Sequence, residues 1–222
     1  MINEPPIDEL SFQELMAAPI VRLIMKSDRI GEREVLELLG RALRLDGPAS
    51  GRTAGRDATH PGRGPLRPGV GVMLVNSRGL VFAGKRNDVT GDAWQMPQGG
   101  VEPNETELDA ALRELREETD ISAVEVLGEG AVPLSYELPP QLLDRLPALA
   151  WRGQSQRWFL MRFLGRDADV DIATKQPEFC DWKWMSVHAL VNGIVPFKRE
   201  VYKQVVTEFA PYLADICGPT DA

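Results

Sequence analysis

One acidic stretch, residues 99–121, constrains this chain more than any other part of its sequence. Glu114, Glu117 and Glu118 stand at i, i+3 and i+4, so a helix would gather their carboxylates on one side. Like charges at this spacing destabilise an isolated helix. A divalent cation would reverse that effect, because Mg²⁺ takes oxygen ligands and is typically held by carboxylates together with substrate phosphates. The pattern therefore indicates either a solvated acidic helix face or a metal site.

The same stretch has the apolar periodicity of an amphipathic helix. Four apolar residues recur at i, i+3, i+4 and i+7 and predict a buried stripe: Leu108, Ala111, Leu112 and Leu115. Asn104 or Thr106 is suited to cap the start of the helix, with an acidic residue three positions later. A helix is therefore predicted directly after the two glycines Gly99 and Gly100. Those glycines could let the backbone approach closely, with their N–H groups facing phosphate oxygens.

The full spacing resembles the Nudix box, G-x5-E-x7-R-E-U-x-E-E-x-G-U, in which U is an aliphatic residue. Eight of its nine defined positions match in order: Gly99, Glu105, Arg113, Glu114, Leu115, Glu117, Glu118 and Ile121. Asp120 stands where the family has glycine, at a position that ends the helix and usually needs a positive φ. The resemblance implies an α/β fold, with a mixed β-sheet sandwiched between α-helices. It also implies hydrolysis of nucleoside diphosphates linked to another moiety.

Outside the box, the sequence is similar to bacterial RNA pyrophosphohydrolases and to dinucleoside polyphosphate hydrolases. The similar stretches lie within residues 67–210 and read RPGVGVML, WQMPQGG, YELP, WRGQSQRWFL, PEFCDWKWM and VPFKREVY. Leu66 departs from the pattern, because the family usually has tyrosine there. The resemblance implies removal of pyrophosphate from RNA 5′ ends or, alternatively, cleavage of diadenosine tetraphosphate. A third alternative is a Nudix domain kept as a ligand sensor or interaction module, which the complete set of glutamates disfavours.

The resemblance also implies a metal site and its chemistry. Two or three Mg²⁺ ions, with Mn²⁺ as a possible substitute, would be held by four carboxylates and one main-chain carbonyl: Glu114, Glu117, Glu118, Glu178 and Gly99. Such ions polarise the bridging phosphates and activate the attacking water. Glu117 and Glu178 are both candidates to remove the proton of that water. Glu105 and Arg113 are implied to pair and to hold the loop against the helix.

Substrate binding is expected to use cations and aromatic rings away from the acidic stretch. Arg86, Arg157 and Lys198 could neutralise a polyphosphate, and Tyr136 and Phe197 could stack on a base for roughly 1–3 kcal/mol each. Packing in the core is the alternative for Phe197. By resemblance, the first base of a nucleotide or RNA is held by residues at four positions: Arg86, Val195, Phe197 and Lys198.

The chain divides into four predicted segments. Apolar periodicity in residues 1–46 predicts a helical hairpin that packs on the main domain or on a partner protein. Residues 47–66 are rich in Gly, Pro and Arg and predict a flexible linker. The Nudix domain is predicted for residues 67–215, with strands at 70–75, 80–83, 124–127, 131–136, 158–163 and 182–185, and later helices at 187–190 and 199–213. Residues 216–222 form a tail.

Composition narrows the setting of the protein. Two cysteines among 222 residues are too few for a disulfide framework, and no apolar run is long enough to span a membrane, so we expect a cytoplasmic protein. The net charge of −8 would argue against a nucleic-acid substrate. However, residues 102–129 contain ten acidic and two basic residues, which leaves 23 of each sign elsewhere. The excess negative charge therefore belongs to the predicted metal helix and its flanks.

Overall fold

A computed structural model describes residues 64–87, 93–138 and 151–217, together with Leu143. The helical hairpin predicted for residues 1–46 and most of the predicted linker lie outside these residues. In the described ranges, no helix is both long enough and apolar enough to cross a membrane.

The described residues contain one mixed sheet of eight strands. Its central path runs β3-β2-β1-β7-β5, while β4 pairs with β1, β6 with β7 and β8 with β2. Strands β1 and β7 are parallel, and the other pairs are antiparallel. The strands are β1 Leu66–Val75, β2 Val81–Arg86, β3 Trp94–Gln95, β4 Gln98–Gly100, β5 Val124–Glu129, β6 Leu134–Glu137, β7 Gly153–Phe163 and β8 Phe179–Met185.

Helices cover both faces of this sheet. Helix α1 (Glu107–Thr119) packs on one face over a core that includes Val70, Val72 and Phe159. Helices α2 (Val187–Gly193) and α3 (Arg199–Cys217) pack on the other face, and a 3-10 turn, Pro196–Lys198, leads into α3. The predicted α/β fold, a mixed sheet between helices, is confirmed.

The predicted hairpin at the start of the domain is present. Strands β1 and β2 pair at Val75 and Val81, and the turn between them contains Gly79 at φ 70°. The side chain of Asn76 accepts hydrogen bonds from the backbone N–H groups of Arg78 and Leu80. Strand β1 begins at Leu66, four residues before the predicted start, because its first half pairs in parallel with β7.

The two glycines of WQMPQGG lie in a strand, which corrects the expectation of a phosphate-binding loop. Gly99 and Gly100 belong to β4, where they pair with Val70 and Gly69 of β1 and are buried. The two strands approach closely, since a Cβ on Gly69 would lie 2.8 Å from the carbonyl oxygen of Gly99. The space beside Gly99 and Gly100 themselves is filled by the side chains of Glu114 and Arg67.

Local rules account for both ends of helix α1. Thr106 is the N-cap, and its hydroxyl accepts a hydrogen bond from the backbone N–H of Asp109. At the other end, Asp120 adopts the left-handed conformation (φ 56°, ψ 9°), and its N–H bonds to the Arg116 carbonyl. The predicted apolar stripe needs one correction, because Leu108 is 36% exposed. The buried side of α1 combines Ala111 and Leu115 with carboxylates.

The left-handed geometry of Asp120 leads to a first prediction. We expect Asp120→Val to lower the free energy of unfolding by about 1–2 kcal/mol, because a β-branched side chain is strained in this conformation. Asp120→Asn is the matched control and should change stability little, since Asn tolerates the left-handed region. Urea denaturation measures both variants. Equal stability of the Val and Asn variants would contradict the assigned backbone geometry.

Candidate active site

Glu118 lies in the last turn of α1 and is the most unusual carboxylate in the described structure. It is 2% exposed, and neither of its carboxylate oxygens has a hydrogen-bond partner among the described residues. Burial raises its pKa well above the usual range, and the negative charges of Glu178 and Glu114 raise it further. Arg86 and the backbone N–H of Gln98 lower this pKa, but by less than burial and the two carboxylates raise it. The Gln98 N–H does not form a hydrogen bond of good geometry with Glu118. Unpaired buried carboxylates are costly, so this position calls for a function.

Glu114 lies one helical turn before Glu118 and faces strand β4. Its carboxylate is buried against the Cα of Gly99, so closely that a Cβ on Gly99 would overlap it. The Arg113 guanidinium donates a 2.7 Å hydrogen bond to Glu114 Oε1. The absence of a side chain at Gly99 therefore makes room for the Glu114 carboxylate.

Glu117 occupies the solvent side of the same helix turn. Half of its side chain is exposed, and its Oε2 lies 3.3 Å from Nη1 of Arg113. The three glutamates of the i, i+3, i+4 set thus sit in different environments, with Glu114 and Glu118 buried and Glu117 accessible to water.

Glu178 reaches the same region from the distal part of the chain. It immediately precedes β8, and its Oε2 accepts a 2.6 Å hydrogen bond from Nη1 of Arg86 at the end of β2. Arg86 is only 3% exposed, and the β2–β8 pairing is irregular next to it, between Lys85 and Arg86. Two predicted site residues of different roles, a metal ligand and a substrate cation, are therefore joined in one ion pair.

Arg113 holds the loop before α1 against the helix. Its Nε and Nη2 bond to the two carboxylate oxygens of Glu105 at 2.7 and 2.8 Å, and Nη2 also donates to the Gly100 carbonyl at 2.9 Å. The Glu105 hydrogen bond is the main cause that raises the pKa of Arg113 above its usual value, and Glu114 adds to it. Glu105 and Arg113 are paired as the resemblance implied.

Three of the four predicted base-binding residues, Val195, Phe197 and Lys198, lie at the 3-10 turn before α3. The rings of Tyr136 and Phe197 lie 5.5 Å apart, and Nζ of Lys198 lies 5.1 Å from the Tyr136 ring centre. Val195 directly precedes the turn, and Phe197 is partly buried against the core. Tyr136 and Lys198 are buried, so Phe197 is the more accessible ring of this pair.

Arg157 is held in a different place. Its Nε lies 3.1 Å from Glu107 and 3.5 Å from Glu129, and its Nη1 donates to the Gly130 carbonyl. Glu107 is in the first turn of α1, about 16 Å along the helix axis from Glu118 at 1.5 Å per residue. The structure thus pairs Arg157 with acidic residues at the opposite end of the helix from the carboxylate group.

No role for Tyr202 was apparent from the sequence, and the structure places it beside the strand that borders the carboxylates. Its hydroxyl accepts a 3.0 Å hydrogen bond from the backbone N–H of Met96, just before Gln98 and Gly99. Burial raises the pKa of the Tyr202 hydroxyl, and the charge of Glu118 raises it further. The available signal was weak: a tyrosine four residues after Lys198, on the buried side of a predicted helix.

The donor atoms here fit a hard divalent cation. In the described ranges, no three His, Cys, Asp or Glu side chains are already arranged as a metal cluster. Glu114 and Glu178 are instead paired with Arg113 and Arg86. The two unpaired oxygens of Glu118 are the kind of ligand that Mg²⁺ and similar ions prefer, with Glu114 and Glu178 near enough to shift its pKa.

Comparison with known proteins settles the family. A family model described as NUDIX domain matches residues 65–205. The chain belongs to the Nudix family. Nudix enzymes hydrolyse phosphoanhydride bonds and generally use divalent metal ions, so the chain is a Nudix hydrolase.

Curated Nudix relatives align over most of their length. An RNA pyrophosphohydrolase of Cereibacter sphaeroides is 50% identical over 156 residues, which cover 69% of this chain and 96% of that protein. One from Erythrobacter litoralis is 53% identical and covers 63% of this chain and 87% of that protein. One from Rhodospirillum rubrum is 50% identical and covers 67% of this chain and 89% of that protein.

Proposed function

We propose that this Nudix hydrolase removes pyrophosphate from the 5′ ends of triphosphorylated RNA in a Mg²⁺-dependent reaction. One observation carries the proposal: relatives named RNA pyrophosphohydrolase share half of their residues with the chain across nearly their whole length. The buried carboxylates of α1 and the aromatic pair beside Lys198 support it. A triphosphate end needs charge compensation, and a base needs a stacking surface.

The proposed metal ligands are the residues that the Nudix box and the PEF stretch supply. They are Glu114, Glu117, Glu118, Glu178 and the main-chain carbonyl of Gly99. Bound Mg²⁺, or Mn²⁺ in its place, would supply charge compensation for the phosphates and activation of the attacking water. Arg113 orients Glu114, and Gly99 leaves the space that the Glu114 carboxylate occupies.

Glu117 is the proposed acceptor of the water's proton. Half of its side chain is open to solvent, whereas Glu118 is buried and Glu178 is paired with Arg86. A general base must reach the attacking water directly or through one further water. After attack on phosphorus, the bridging P–O bond breaks, pyrophosphate leaves, and the RNA keeps a monophosphate at its 5′ end.

Recognition of the nucleotide is assigned to the surface around the 3-10 turn. Phe197 is half-buried and packs against the buried ring of Tyr136. Lys198 and Arg86 are the buried cations proposed to contact phosphate, and Val195 precedes the turn. Stacking tolerates any base, and phosphate contacts depend on charge alone. We therefore expect the enzyme to recognise the 5′ phosphates and a stacked first base, with little dependence on the RNA sequence.

Phe197→Ala tests the stacking role. We expect KM for triphosphorylated RNA to rise by roughly one to two powers of ten, with kcat little changed, because stacking on one base is worth about 1–3 kcal/mol. Phe197→Leu is the matched control for packing, since it keeps apolar volume and removes the aromatic face. Steady-state kinetics and thermal melts are measured on all three proteins. Unchanged kinetics combined with a large loss of thermal stability would assign Phe197 to the core instead.

We also propose that residues 67–215 form a catalytic unit that does not need the N-terminal extension. Deletion of residues 1–60 is expected to leave a folded enzyme whose kcat on a small dinucleotide substrate stays within a factor of about two, because the residues of the proposed site all lie after residue 85. Expression yield, thermal melts and kinetics check this. Insoluble protein or collapsed activity would show that the extension completes the core.

Product analysis tests the reaction itself. The full chain is incubated with 5′-triphosphorylated RNA and, separately, with diadenosine tetraphosphate, with either Mg²⁺ or Mn²⁺. We expect monophosphorylated RNA and pyrophosphate as the preferred products, and no product from Glu118→Gln. Preferred conversion of diadenosine tetraphosphate to ATP and AMP would favour the dinucleotide substrate. Binding of both substrates without any product would favour a ligand sensor.

A further inference from the structure

Tyr202 connects helix α3 to the strand that borders the carboxylates. It is completely buried, as is Met96, and its hydroxyl accepts a 3.0 Å hydrogen bond from the backbone N–H of Met96. Met96 lies between β3 and β4, two residues before Gln98. Without the hydroxyl, this backbone N–H would be buried and unpaired, which proteins rarely tolerate.

The segment that Tyr202 contacts sets the position of Gly99. Its Pro97 carbonyl accepts a 2.8 Å hydrogen bond from the N–H of Val72, and Gln98 pairs with Gly71. Gly99 then lies directly against the Glu114 carboxylate. A displacement of Met96 would therefore be transmitted through two residues to the surface on which Glu114 packs.

The ring of Tyr202 is fixed from a second direction. It contacts Trp158 edge to face, with ring centres 5.6 Å apart. Trp158 lies over Gly71, where a Cβ would come within 2.6 Å of its ring. Aromatic packing of this kind holds the hydroxyl in place with little freedom.

Among the described residues, the Tyr202 hydroxyl lacks a hydrogen-bond acceptor and the Glu118 carboxylate lacks a donor. Both groups are buried: Tyr202 is fully buried and Glu118 is 2% exposed. Buried donors and acceptors normally have partners, so both groups call for one that the described residues do not supply.

We propose that Tyr202 is a positioning residue for the metal-binding carboxylates, because its hydroxyl anchors Met96 and so holds the segment whose Gly99 packs on Glu114. The inference rests on the proposed function, because it gives Glu114 the role of a metal ligand. Groups that orient metal ligands typically change metal affinity by roughly 10–100-fold when they are removed. Tyr202 also lies four residues after Lys198, which belongs to the 3-10 turn that leads into α3.

The test compares Tyr202→Phe with Tyr212→Phe in the full chain. Tyr212 is on the same helix, is 42% exposed and contacts Phe209 edge to face, so its hydroxyl is a matched control. Binding of Mn²⁺ alone is followed by electron paramagnetic resonance, and kcat is measured across a Mg²⁺ titration. For Tyr202→Phe we expect roughly 10–100-fold weaker Mn²⁺ binding, partial rescue of kcat by high Mg²⁺, and an unchanged KM for RNA. Tyr212→Phe should match the wild type.

A role in packing alone would lower the melting temperature of Tyr202→Phe and leave Mn²⁺ affinity and the Mg²⁺ dependence unchanged, and that result overturns the proposal. If Tyr202→Phe does not fold, 3-fluorotyrosine at position 202 keeps the ring size and alters the hydrogen-bonding strength of the hydroxyl. An unchanged Mn²⁺ affinity in that protein also overturns it. Glu118→Gln distinguishes failure of the proposed function from failure of this inference. If Glu118→Gln binds Mn²⁺ and turns over normally, the proposed metal site is wrong. If Glu118→Gln is inactive and Tyr202→Phe behaves like the wild type, only the role of Tyr202 is wrong.

Discussion

Glu118→Gln should abolish turnover and, at the same time, make the metal-free protein more stable. At a pH above the raised pKa of Glu118, the change removes a buried negative charge that has no hydrogen-bond donor among the described residues. Relief of that burial should raise the free energy of unfolding by about 1–3 kcal/mol. Loss of a metal ligand removes several kcal/mol of transition-state stabilisation, which corresponds to a fall in kcat of about 10³-fold or more. A gain in stability combined with loss of function distinguishes this residue from an ordinary core position.

The pH dependence of stability gives a second readout of the same change. Because the pKa of Glu118 is raised in the folded protein, protonation of Glu118 stabilises the folded state. This stabilisation is fully present below the ordinary pKa of a glutamate and is lost as the pH rises through the raised pKa of Glu118 in the fold. In EDTA, wild-type stability should therefore fall over this window, and Glu118→Gln should remove that part of the slope. Chemical denaturation at several pH values measures it.

Glu117→Gln is the matched control for Glu118→Gln. It removes the same charge from the same helix turn, but at a side chain that is half exposed. We expect loss of turnover without a comparable gain in stability. If Glu118→Gln were no more stable than the wild type in EDTA, or turned over within about tenfold of it at saturating Mg²⁺, the assignment of Glu118 as a buried metal ligand would be wrong.

Gly99→Ala is expected to have the next largest effect. The new methyl group would overlap the Glu114 carboxylate, so either β4 or the side chain must move. Misplacement of a catalytic group by about 1 Å can cost roughly 10²-fold in rate, and overpacking of this kind typically costs about 1–3 kcal/mol of stability. Both effects should appear in kcat and in chemical denaturation.

Two further variants isolate the cause of that effect. Gly193→Ala places a methyl group at ordinary contact distance, 3.6 Å from Trp94, and should leave activity unchanged. Combining Gly99→Ala with Glu114→Asp shortens the side chain that is overlapped, so stability should recover in part while activity stays low. Wild-type kinetics for Gly99→Ala would remove Glu114 from the proposed site.

Local rules predicted the helix that carries the site and failed at the strand beside it. Thr106 caps the start of α1 and Asp120 caps its end, and both caps depend only on residues nearby in the sequence. Strand β4 has only three residues, and its conformation depends on pairing with β1, so the sequence WQMPQGG read as a glycine loop. Periodicity alone assigns apolar residues to the buried side of a helix and glutamates to the exposed side, so Leu108 was expected to be buried. In the fold, Glu114 and Glu118 occupy part of the buried side, and Leu108 is partly exposed.

The partners of the site residues were less predictable than their identities. The Arg113–Glu105 pair spans eight positions and followed from the Nudix box. The Arg86–Glu178 pair spans 92 positions and depends on how β2 pairs with β8, which no local pattern encodes. Arg157 has the right charge for a phosphate site, but its place on β7 brings it to Glu107 and Glu129. Charge and residue type are visible in a sequence, whereas strand order decides which groups meet.

The long sequence separations also set the order in which the site can form during synthesis. Helix α1 leaves the ribosome well before Glu178, and the bond between Met96 and Tyr202 joins residues 106 positions apart. Contacts of such separation form late, because loop closure must precede them. Until Glu178 has been made, Glu118 lacks one of the two negative charges that raise its pKa in the fold. We therefore expect the Glu118 carboxylate to reach its final electrostatic environment only after most of the domain has been translated.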